Sequence, residues 1–125
     1  MRASRLDIKV NEAFDGSGLI FDYKWKLWGQ AIGVDLNAEK MLIKAAGSEA
    51  VVYDATKIRE YKSEWIERSS GSSITKEQYT VVIFLKDLER PKVTIKTITE
   101  SQTDYVMEML SQAFDHLRSN SAQST

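Results

Sequence analysis

Residues 53–68, YDATKIREYKSEWIER, constrain the fold more than any other stretch, because two patterns overlap in them. Ile58, Tyr61 and Trp65 stand at i, i+3 and i+7, the stripe of an amphipathic helix. Tyr61, Ser63 and Trp65 also stand at every second position, as on one face of a strand. Asp54 and Thr56 are turn and cap types, whereas Tyr61, Trp65 and Ile66 favour strands. The segments on both sides read as antiparallel β, which favours a turn near Asp54–Lys57 followed by a strand over 59–68. That strand would set Ile58, Tyr61 and Trp65 into or along the wall of a sheet, so removing Trp65 is expected to carry a core-type penalty of ~3–5 kcal/mol.

The rest of the chain follows from this choice. Ser4, with Asp7 three residues on, caps a helix-spaced run of Leu6, Val10, Ala13 and Phe14, which predicts a short N-terminal helix within residues 1–18. DGSG at 15–18 breaks it. From Leu19 the pattern alternates, with Phe21, Tyr23, Trp25 and Leu27 on one face and Asp22, Lys24 and Lys26 on the other. Gly29 and Gly33 read as bulges or a bend. Ala31–Ala45 forms a hairpin about NAEK, AGSE turns, and AVVY is a further strand. SSGSS at 69–73 reads as a flexible hairpin tip. Tyr79–Leu85 is apolar on both faces, as in a central strand. Finally Val106, Met109, Leu110, Ala113 and Leu117, flanked by Tyr105 and Phe114, form one apolar stripe. Ser101, with Asp104 three residues on, supplies its cap, and the helix should run four to five turns before a frayed polar tail over 119–125.

A series of strands closed by one amphipathic helix defines an α+β class, with the sheet strongly bent so that both apolar faces are buried. With 125 residues the chain makes one domain and needs no staple. Cysteine is absent, which removes disulfides and thiolate chemistry. Charge is balanced along the chain: six basic and six acidic residues in 1–40, six of each in 41–80, and five against six in 81–125. No basic stripe is visible, so nucleic acid is not an expected partner. No run has signal-peptide or membrane-span character, and a cytoplasmic location is expected.

The candidate sites are few. His116, the single histidine, suits the C-terminal end of the last helix or plain exposure, since no motif supplies a catalytic partner. The pairs Glu64/Glu67, Asp87/Glu89 and Asp104/Glu108 read as solvated faces. No nucleophile–base or metal constellation appears, so no enzyme and no cofactor are expected. The stretch YKWKLW is the more informative one. Tyr23 and Trp25 should face the core, while Lys24, Lys26 and Trp28 share the opposite face as a candidate partner surface. An exposed Trp28 near Phe14 or Leu19 would suit a protein partner or a second copy. The alternative is a peripheral membrane surface, less favoured, made by the two lysines and Trp28.

AIGVDLNAEKMLI as an opening hairpin, VVYDATKIREYKSEW as a turn feeding a strand, YTVVIFLKDLERPKVTIK as a second hairpin and DYVMEMLSQAFDHL as a last helix together resemble small bacterial PH-like domains of unknown function. The resemblance covers roughly residues 30–118, and the PH-like domain is drawn over 19–118. It implies a partly open barrel capped by the C-terminal helix, with Ile58 at a strand start, and it leaves residues 1–29 as an addition. Phosphoinositide-binding members of the family carry a basic loop after the first strand. Here Leu36–Lys40 holds one acid and one base, a departure from that pattern. The expected function is therefore a non-catalytic binding or scaffolding module, engaging an unknown protein partner or another copy of itself.

Overall fold

The computed structural model describes residues 5–123. It is an α+β arrangement of two antiparallel sheets and two helices. Helix α1 spans Arg5–Gly16; the cap expected at Ser4 lies outside the described residues. Strands β1 (Tyr23–Leu27), β2 (Gln30–Asp35), β3 (Lys40–Lys44) and β4 (Val51–Asp54) form the first sheet as a meander. A 3-10 turn at Ala55–Lys57 leads into β5 (Ile58–Ser70), which pairs with β6 (Ser73–Leu85), which pairs in turn with β7 (Lys92–Lys96). Helix α2 (Glu100–Gln123) follows. The single bent sheet or partly open barrel is thus replaced by two sheets with no ladder between them.

Strand β2 is buried along its whole length because both of its faces are covered. One face turns Ile32 and Val34 into the main core, against Met41, Ile43, Val81, Ile83, Ile95 and the apolar stripe of α2. The other receives α1, whose Val10 and Phe14 pack with Ala31 and Leu42. Gly33 is neither bulge nor bend. It lies in the regular β1–β2–β3 register, and a Cβ there would meet the Phe21 ring at 2.6 Å and the Phe14 ring at 2.9 Å. The bare backbone is the slot in which these two edge-to-face rings sit, their centroids 5.0 Å apart. Gly29 likewise forms no bulge. With Trp28 (φ 48°) and Gly29 (φ 75°) between the paired Leu27 and Gln30, it makes a two-residue hairpin turn with both residues left-handed.

One side chain takes the place of a ladder where the sheets meet, and a second ties the first sheet to α2. The Gln30 amide, 2% exposed, donates to the Lys96 carbonyl (2.8 Å) and accepts from the Lys96 N–H (2.7 Å), so it pairs with β7 as a neighbouring strand would. Trp25, 5% exposed, donates its indole N–H to Gln102 Oε1 on α2 (2.9 Å). The buried Lys44 ammonium donates to the Gly29 carbonyl (2.9 Å) and so holds the β1–β2 turn.

The cap of α2 is Thr99, not Ser101: Thr99 Oγ1 accepts the N–H of Gln102 (3.1 Å). The helix is longer than four to five turns. It continues to Gln123, into the stretch expected as a frayed tail, since neither glycine nor proline stops it. Residues 124–125 lie outside the described ones.

SSGSS is not a loose tip. Ser70 pairs with Ser73 across a turn of Gly71 (φ 62°) and Ser72, so both strands run to the end of the hairpin. Its outer part extends past the core: β5 is exposed from Glu64 to Ser70, and β6 from Ser73 to Lys76. Trp65 therefore lies 43% exposed, with the Lys76 ammonium 4.7 Å from its ring, rather than in a core wall. Of the three residues assigned to that wall, Ile58 is buried and Tyr61 half-buried.

Asp35 organises the loops around the first sheet. Its carboxylate accepts the Ala38 N–H (3.0 Å) and the Ile20 N–H (3.0 Å). These bonds, the Ala38 one foremost, hold the carboxyl below its ordinary 3.8. A depressed folded value contributes stability above the unfolded pKa, and that stability is lost as pH falls through the folded one. Denaturant titrations are expected to show the native chain losing stability from about pH 4 downward, and the Asp35→Asn variant, weaker at pH 7, losing less over the same interval. Parallel pH profiles for the two proteins would refute this role.

Candidate functional site

Where β5 leaves the 3-10 turn, the chain opens a groove between the first residues of β5 and the C-terminal half of α2. Ile58 is set inward by its pairing with Leu85. The ladder then slips at Arg59, an extra residue on β5, and Tyr61 returns to the inner face. There its ring stacks on Phe114 of α2, with centroids 5.3 Å apart and planes at 14°. Ile58, Tyr61, Phe114 and Leu117 line an open groove of about 560 Å³. Arg59, Lys86, Arg118, Glu39 and Glu60 also line it. An apolar lining with charges of both signs suits a polypeptide segment better than a single small anion.

Of β5, the first four residues line the groove. That strand pairs with β6 on one side, and among the described residues no strand pairs with its other side. That side of β5 carries no ladder, and Trp65 and Ile66 are exposed along its outer part.

The YKWKLW residues are placed differently from a single Lys–Trp face. Lys24 and Lys26 sit on the α1 side of β1. The Lys24 ammonium lies 4.8 Å from the Phe14 ring centre, and Lys26 donates to Asn11 Oδ1 (3.2 Å). Trp28 leaves them at the hairpin tip, 68% exposed, while Phe14 is buried beneath α1 rather than beside it. His116 is exposed and lies two turns before the end of α2, not in its last turn. Glu64/Glu67, Asp87/Glu89 and Asp104/Glu108 are all exposed. Asp87 accepts the N–H groups of Glu89 (2.9 Å) and Arg90 (3.3 Å), which is turn chemistry.

Groups with displaced pKa values have structural causes away from the groove. Asp54 is lowered by its 2.7 Å bond to Lys40, and Tyr79 is raised by burial together with Glu100 and Asp104. Among the described residues no cluster of three or more His, Asp or Glu is placed to hold a metal ion, and no helix is long and apolar enough to cross a membrane. Comparison with protein-family models, curated proteins and solved structures finds no match for this chain.

Proposed function

We infer that this chain is a non-catalytic binding module of PH-like character, and that it takes an extended polypeptide segment along the outer edge of β5. The observation that carries this reading is the juxtaposition of an unpaired 13-residue strand edge with the apolar groove at Tyr61 and Phe114. Edge pairing supplies backbone hydrogen bonds for affinity, and the groove supplies a pocket for alternate side chains. The PH-like reading draws support from two antiparallel sheets with one helix packed on them.

A random peptide library displayed on phage tests this. Enriched peptides should shift amide resonances of Ile58–Arg68 and Phe114–Arg118, and Phe114→Ser should weaken them by about tenfold or more, the loss of one buried aromatic anchor. Failure to enrich any peptide, or shifts confined to another face, would overturn the reading.

A further inference from the structure

The occupant of the β5 edge is legible in the edge itself, and the argument rests on the edge-binding reading above. A strand that meets a second copy of itself across a two-fold axis normal to the sheet runs antiparallel to it, with one residue opposite its own counterpart. β5 is regular enough for this from Glu60 onward. The second slip in its ladder, between Glu64 and Ile66, is taken up by an extra residue on β6, where Gln78 has φ 56°. With Ser63 on the axis, Lys62 of each copy faces Glu64 of the other, and Tyr61 of each faces Trp65 of the other. Further out, Arg59 faces Glu67. Opposite charges and paired aromatics are the side-chain pairs that stabilise an antiparallel ladder. The neighbouring registers fail: an axis at Lys62 sets Lys62 against Lys62 and Glu60 against Glu64, and an axis at Glu64 sets Glu64 against Glu64.

We propose that two copies of this chain pair antiparallel through their β5 edges, with Ser63 on the two-fold axis. Tyr61 and Trp65 lie on the same side of the strand, so the second copy's Trp65 comes to the Tyr61–Phe114 stack at the mouth of the groove. Lys62, Glu64 and Trp65 are all exposed. Within one copy Lys62 already pairs with Glu64 (3.2 Å), so pairing between copies exchanges that contact for the same contact across the axis. In this register Lys62 and Glu64 attract across the axis, while Glu60 faces Ile66.

Mass measured by analytical ultracentrifugation at tens of micromolar should be that of a dimer. K62E and E64K should each raise the dissociation constant by about tenfold, since each turns two attractive pairs into repulsive ones, and the double reversal should restore it. The chain has no cysteine, so single replacements report position cleanly. Directly opposed residues have Cα atoms ~4.5–5.5 Å apart, within disulfide range. Ser63→Cys should therefore cross-link under mild oxidation, and Ile66→Cys should not. Far-UV circular dichroism checks that each variant is folded. A dimer indifferent to both charge reversals, or cross-linking no faster at 63 than at 66, overturns the proposal. So does a monomer. If peptides from the library still bind the β5 edge of that monomer, the binding-module reading stands without its second copy; if they do not, both fail.

Discussion

Replacing Gln30 with alanine is expected to destabilise the protein by roughly 2–4 kcal/mol, although the side chain is uncharged and makes no large apolar contribution. Its amide links β2 to β7 by two hydrogen bonds, one N–H to the Lys96 carbonyl and one carbonyl for the Lys96 N–H, and makes a weaker bond to Leu27 O of β1 (3.3 Å). Alanine removes all three and leaves a backbone donor and acceptor without partners at the seam, each worth ~1–3 kcal/mol when buried. Gln30→Glu separates the two halves of the interaction. It keeps an acceptor for the Lys96 N–H but turns an oxygen toward the Lys96 carbonyl. At neutral pH it should cost at least as much as alanine, and the deficit should narrow on acidification as the carboxyl regains a proton to donate. Denaturant titrations of the three proteins at pH 7 and pH 5 decide the matter. A loss under ~0.5 kcal/mol for alanine would mean that water substitutes for the amide and that the seam is wet.

Removing Trp25 is expected to cost ~3–5 kcal/mol, while removing Trp65 costs about 1 kcal/mol or less. Trp25 fills the core between β1 and α2, and its loss also strands the Gln102 acceptor it satisfies. Trp65 lies on the projecting part of the hairpin, where its main neighbour is the Lys76 ammonium. Domains of this size are stable by only ~5–15 kcal/mol, so Trp25→Ala takes a large share of the total. Circular dichroism during urea unfolding, at micromolar concentration so that association between copies does not contribute, measures both. Equal losses would place Trp65 in a core after all.

These two residues show where local pattern reaches its limit. Alternation placed Trp25 inward and set the strand after Asp54–Lys57, because side chains on a strand must alternate and turn residues mark its start. The stripe of α2 was equally legible: Val106, Met109, Leu110, Ala113 and Leu117 are all buried. Period says which way a side chain points but not whether anything lies there. β5 overruns the body of the fold, and Trp65 overruns with it. Gln30 left no local signal at all, since its partner is 66 positions away. Thr99 outcompeted Ser101 because the preceding turn decides where the first helical residue falls; Thr99 N donates to Thr97 O (2.8 Å). Gly33 looked like a strand interruption. Its purpose depends on Phe14 and Phe21, which lie elsewhere in the chain. The groove could not be read either: it is made by the stacking of Tyr61 on Phe114, and neither residue names the other in sequence.

The seam also orders events in time. The meander β1–β4 and the hairpins β5–β7 each join strands that are neighbours in sequence, so each loop to be closed is short and its entropic cost modest. The first sheet is tied to β7 through Gln30–Lys96 and to α2 through Trp25–Gln102, contacts 66 and 77 positions apart. A chain emerging from the ribosome can therefore lay down its first sheet early, but Ile32, Val34, Met41 and Ile43 lack their full cover until β6, β7 and α2 have been made. The exposed core face of the first sheet is thus finished only by the elements that follow it in the chain.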